Sequence, residues 1–212
     1  MCTLLVVALM VPVAQAGEPE LEASIGARLS GEALQDPRLV SAYTAEGLGG
    51  ELTAALPLVK GFRLRVCVGY HRRAGKRFTL DGTEGTASSW LMYLPISAPV
   101  FYDVHAGSVS LGVGVGPSYL VFAEPSEAPP DDPAYADVAQ SGGKFGLTFE
   151  AEARIATDMV SRSLHAPDEG PRRLDVVIGL GYRASVPHLN LANTEGLNFS
   201  AVRLGAGLEL VY

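Results

Sequence analysis

Residues 201–212 read AVRLGAGLELVY. In an extended strand, Val202, Leu204, Ala206, Leu208, Leu210 and Tyr212 share one face, and Arg203, Gly205, Gly207 and Glu209 share the other. The first face is uncharged throughout and ends on an aromatic ring. The second is charged and rich in glycine. A strand that crosses a bilayer as one stave of a barrel needs this division, because its outer side meets hydrocarbon and its inner side a crowded lumen.

The same period-two alternation recurs upstream in segments of about ten residues. The apolar faces are Leu21–Leu29, Leu48–Leu58, Phe62–Tyr70, Trp90–Ile96, Val109–Val115, Phe145–Ile155 and Leu174–Tyr182, each taken at every second residue. The opposite faces carry Glu22 and Arg28; Glu51; Arg63, Arg65, Cys67 and His71; Ser110 and three glycines; Lys144, Glu150, Glu152 and Arg154; then Asp175 and Arg183. Alternation is weakest in the fourth segment, where Leu91, Tyr93 and Pro95 oppose Trp90, Met92 and Leu94. With the C-terminal strand these segments predict an all-β fold, an eight-stranded antiparallel up-and-down transmembrane β-barrel. Long polar connections are expected near 31–46, 72–88, 122–142 and 184–198, and short turns near 59–61 and 97–103. Residues 157–173 form a long connection on the side where short ones are expected.

Two domain segments follow. Residues 4–13, LLVVALMVPV, precede Ala14-Gln15-Ala16, which predicts a cleavable signal peptide over 1–16 and a barrel over 17–212. The apolar run is too short to span a bilayer, which takes about 20 residues. After cleavage Cys67 is the sole cysteine, so no internal disulfide and no cysteine-based metal site is expected. A net charge of −7 argues against nucleic acid as a partner. No cofactor motif is read: GVGVG at 112–116 is a strand face and not a phosphate cradle.

Alternation alone also allows a soluble, lipocalin-like barrel with the apolar face inward and a small apolar ligand. Three features favour the membrane. Glycine crowds the charged face, as a narrow lumen requires. Aromatics fall at strand ends on the apolar face, with Phe62 and Tyr212 at one end and Tyr70, Trp90, Phe145 and Tyr182 at the other. Phe62 and Tyr70 are separated by about 26 Å along the strand, or roughly 20 Å of depth after tilt. The terminal aromatic is the third feature.

Read this way, Glu22, Arg28, Glu51, Arg63, Arg65, Glu150, Glu152, Arg154, Asp175, Arg183, Arg203 and Glu209 face the lumen, with His71 and Lys144. Buried charges are costly unless paired, so the near-balance of signs predicts a salt-bridge network that plugs the tube. Arg154 and Glu209 are paired by height along the axis.

Over nearly all of the mature chain the pattern resembles the small OmpA/OmpX-type barrels of Gram-negative outer membranes. The resemblance implies outer-membrane lipid and lipopolysaccharide as surroundings, and a monomer handled by the barrel assembly machinery. Leu208, Leu210 and Tyr212 would be its insertion signal. It implies a structural or surface-interaction role without enzymatic activity. One relative of this architecture, the lipid A deacylase, uses a His-x-Ser motif with a downstream acid. Here the nearest match is His188-Leu189-Asn190 followed by Glu195, and asparagine cannot serve as the nucleophile. The acidic, proline-rich stretch 123–138 is read as solvated surface.

Overall fold

The computed structural model describes residues 22–43, 46–59, 61–78, 84–124, 141–157, 173–190 and 198–212, with 46, 77–78, 84–87 and 186–190 by backbone alone. The signal segment 1–16, most of the 123–138 and 157–173 connections, and Glu195 lie outside the described residues, as do the side chains of His188 and Asn190.

The strands are β1 (Ser24–Leu34), β2 (Glu46–Val59), β3 (Phe62–Phe78), β4 (Glu84–Ser97), β5 (Val100–Ala106), β6 (Val109–Ala123), β7 (Ser141–Thr157), β8 (Arg173–Asn190) and β9 (Ala201–Val211). All pairings are antiparallel. Each strand pairs with the next except β4 with β5, and β1 also pairs with β9 from Ser24↔Val211 to Leu34↔Ala201, which closes the ring. β4 and β5 together form one stave, since both lie between β3 and β6. The result is an eight-stave barrel.

That shared stave corrects the sequence reading. Residues 97–103 are not a turn. Ala98 and Pro99 interrupt the ladder, and the chain then resumes its direction as β5. The kink is held by Ala98 N–H donating to Pro117 O and Arg65 N–H to Pro99 O, both 3.0 Å. It fits against Gly116, where any Cβ would collide with the Ala98–Pro99 backbone. The actual turn is Gly107-Ser108, with Gly107 at φ +64°, a left-handed conformation that glycine adopts without strain. The connections at the opposite end are shorter than read, because β3 runs on to Phe78, β4 starts at Glu84 and β8 reaches Asn190. A six-residue helix, α1 (Pro37–Ala42), lies within the first of them.

The apolar face is the outer one. Leu29, Leu48, Leu52, Leu111, Val113, Leu147, Ile178, Leu180, Leu204 and Leu208 are all exposed, Leu48 at 86%. Burial alternates residue by residue along β1. The alternating apolar face is thus not the lumen face that the lipocalin-like alternative requires it to be. Phe62, Tyr102 and Tyr212 stand exposed towards the turn end; Tyr70, Trp90, Phe145 and Tyr182 stand exposed towards the loop end.

Candidate functional site

The interior holds two zones. At the loop end, α1 folds over the mouth and buries Leu39 and Ala42 against Leu34, Tyr43, Leu91, Tyr93, Leu120, Phe122 and Phe199. This apolar cap accounts for the weak alternation of the fourth segment: Leu91 and Tyr93 are inward and apolar because the tube there is filled with side chains of its own kind. Asp36 caps the helix, accepting from Arg38 N–H at 2.9 Å and from Asn198 N–H at 2.8 Å. Burial alone would raise its carboxyl, but these bonds and the Arg38 guanidinium hold it below the usual aspartate value.

Below the cap lies an ion network. Glu152 is its hub, contacting Arg63, Arg65, Arg28 at 2.9 Å and Arg154 at 3.7 Å. Arg28 also reaches Glu209 at 2.6 Å, and Arg63 reaches Asp103 at 2.7 Å. Arg65 binds Glu150, which binds Arg203 at 2.6 Å, which binds Glu51 at 2.9 Å. Five arginines and five carboxylates thus form one connected, formally neutral cluster. Arg65 and Glu209 are fully buried. Arg154 turns to Asp103 at 3.2 Å and not to Glu209, so the pairing expected by height is corrected: proximity along the axis is overridden by the side of the tube from which each side chain comes. Glu209 is taken up by Arg28, Ser24 and Thr53.

Sequence explains how such large side chains fit. Glu150 and Glu152 of β7 lie opposite Gly114 and Gly112 on β6, and Gly181 and Gly179 on β8. Glycine on both flanks leaves lateral room for Arg63 and Arg65 to reach across from β3. Phe101 occupies part of that room, with the Arg63 and Arg65 guanidiniums 4.4 and 4.3 Å from its ring centre. A Cβ on Gly114 would come within 2.7 Å of that ring.

Arg183 forms a separate pair with Glu32 at 2.9 Å, just beneath the cap. The His71 ring is buried, stacks on Tyr93 at 5.1 Å and sits 3.8 Å from Glu32. Lys144 is buried inward, 5.7 Å from the Phe199 ring centre. Cys67 is buried and free. Glu22 lies at the rim, where Arg173 binds it at 2.9 Å and Asp175 at 2.6 Å. Glu32, Arg73, Asp103 and Phe101 are inward residues that sequence reading missed. All lie in stretches read as connections, and continuing the period-two count through Pro99 would have found Phe101 and Asp103.

A cavity of about 210 Å³ opens at the turn end beside Arg63, Asp103, His105 and Arg154. Farther in, pockets beside Arg183 measure about 10 Å³ each, barely room for one water.

No family model and no curated relative matches the sequence. Similar solved structures are small outer-membrane barrels. Neisserial surface protein A is covered over 97% by 91% of this chain, at 14% identity and a TM-score of 0.49. Ail of Yersinia pestis, crystallised with the heparin analogue sucrose octasulfate, gives 15% identity, 91% and 99% coverage and 0.46. OprG of Pseudomonas aeruginosa gives 12% identity, 91% and 96% coverage and 0.48. Likenesses this distant assign no ligand and no residue role to this chain.

Proposed function

We propose that this chain is an integral outer-membrane β-barrel with a closed lumen and a structural or surface-interaction role. The observation that carries the reading is the inversion of the barrel, with hydrocarbon side chains outside and ion pairs within. In water, the exposed Leu, Val and Ile wall would be unprotected, since soluble monomers rarely expose apolar patches beyond a few hundred Å². In a bilayer it faces matching hydrocarbon. The aromatics at both ends of the wall suit the two interfaces.

In this reading residues 1–16 are a cleaved export signal, 17–212 the inserted unit, and Leu208, Leu210 and Tyr212 the signal read by the assembly machinery. The barrel works as a monomer among outer-membrane lipid and lipopolysaccharide, without cofactor, nucleic acid or catalysis. Asn190 in place of a serine supports the last point. The five-to-five ion cluster is a neutral plug: every charged group in it already has an opposite partner, and eight staves leave a width that side chains fill. Outer-membrane fractionation with a heat-modifiable gel band tests the location. Planar-bilayer recording tests the plug, for which stable single-channel steps from the unmodified protein are the contrary result.

A further inference from the structure

Among the described residues, the outer wall carries charge at one place. Among the described outward-facing strand side chains, every position is uncharged except Arg72 and Lys76, both exposed and both on β3. Arg72 follows Tyr70 by two residues, about 7 Å farther towards the loop end. Its guanidinium lies over Trp90 of β4, 3.8 Å from the ring centre. Cross-strand, Arg72 is opposite Met92 and Ala74 opposite Trp90, so the cation reaches past its own register partner to rest on the Trp90 ring.

From these contacts we infer that Arg72, with Lys76, binds the phosphate of an outer-leaflet glycolipid of the lipid A type. This rests on the membrane reading above and names one lipid partner within it. A cation on a lipid-facing wall is costly at mid-depth, and the cost falls to about 0–1 kcal/mol near the interface. That gradient explains tolerance at this height. It does not explain why the two exceptions share one strand, four residues apart, and both carry positive charge. An anion held at the same height does. A guanidinium lying over a ring keeps N–H donors that the ring does not use, and a guanidinium can offer two of them to two phosphate oxygens at once. Outer-leaflet glycolipid phosphates lie at the glycerol-level interface, where the exposed aromatics of the wall end.

Trp90 is the sole tryptophan, so its emission reports this seat directly. The full-length mature protein is folded into phosphatidylcholine vesicles carrying rising mole fractions of bisphosphorylated lipid A, dephosphorylated lipid A or phosphatidylglycerol. Each series is normalised to its own spectrum without additive. The expected result is a saturable change with bisphosphorylated lipid A alone. Arg72→Gln should weaken the apparent affinity about fivefold, the worth of one interfacial cation, and Arg72→Lys should weaken it less. No response, an undiminished response in Arg72→Gln, or an equal response to phosphatidylglycerol overturns the inference. Insertion is read separately, from heat-modifiability and blue-shifted emission in plain phosphatidylcholine. Failure there defeats the membrane reading itself, whereas insertion without a lipid A response defeats this inference alone.

Discussion

Replacing Glu152 with glutamine removes the hub of the ion network and leaves its shape. Five arginines then face four carboxylates. None of the hub's partners is stranded outright: Arg28 keeps Glu209, Arg63 and Arg154 keep Asp103, and Arg65 keeps Glu150. The loss is therefore one net uncompensated positive charge shared over a buried cluster. Breaking a buried pair by removing one partner costs about 3–5 kcal/mol, and the retained second partners put Glu152→Gln near the lower end, about 3 kcal/mol. Arg65→Gln should cost a similar amount with the opposite sign of excess charge. The double variant restores four against four, so it should be less destabilised than the sum of the singles by about 0.5–3 kcal/mol, the range for residues in one network. Urea unfolding in lipid vesicles followed by Trp90 emission measures all three. A Glu152→Gln effect within about 0.5 kcal/mol of zero, or strict additivity in the double, would refute the claim that these charges are coupled.

Three further outcomes follow from the structure. Gly114→Ala should destabilise by about 1–3 kcal/mol in the same assay, because its Cβ meets the Phe101 ring, which the two arginines hold from above; a neutral result would mean that the ring has room to move. Asp36→Ala should weaken α1 by about 0.5–2 kcal/mol, seen as lost amide protection in hydrogen exchange corrected for intrinsic rates. Since the folded Asp36 carboxyl is depressed, its contribution is complete above the unfolded value near 3.9 and is lost as pH falls through the lower folded value; protection of α1 unchanged on acidification would contradict this. Deleting Tyr212 removes one exposed ring and one main-chain bond, Tyr212 N–H to Ala23 O at 2.9 Å, so refolding in vitro should barely change while outer-membrane levels in cells fall.

The strands were legible because the middle of the outer wall carries no charge: Leu111, Val113, Leu147, Ile178 and Leu208 could be placed by counting in twos. Glycine on the inner face was legible for the complementary reason, that wide side chains from across the tube need its room. Legibility failed where a local signal competed with the period. Ala98-Pro99 reads as a turn, and only its fit against Gly116 lets the stave continue. The apolar cap was hidden because Leu91, Tyr93, Leu120 and Phe122 are apolar on the inner face, which blurs the alternation. Helix α1 is too short to carry a helical period, and its cap, Asp36, was the available clue. Partner choice in the lumen was beyond sequence, since arginine reach spans several staves and the nearest height does not fix the nearest carboxylate.

The membrane barrel stands or falls with which face of its wall meets lipid. In a Cys67→Ala background, spin labels placed singly at Leu111, Val113 and Val115 of the vesicle-inserted protein can be relaxed by molecular oxygen, which concentrates in hydrocarbon, or by a water-soluble nickel chelate. The inverted barrel predicts that oxygen dominates at all three positions, most strongly at the central one. Relaxation dominated by the nickel chelate along this row would place the apolar wall in water and contradict the membrane barrel.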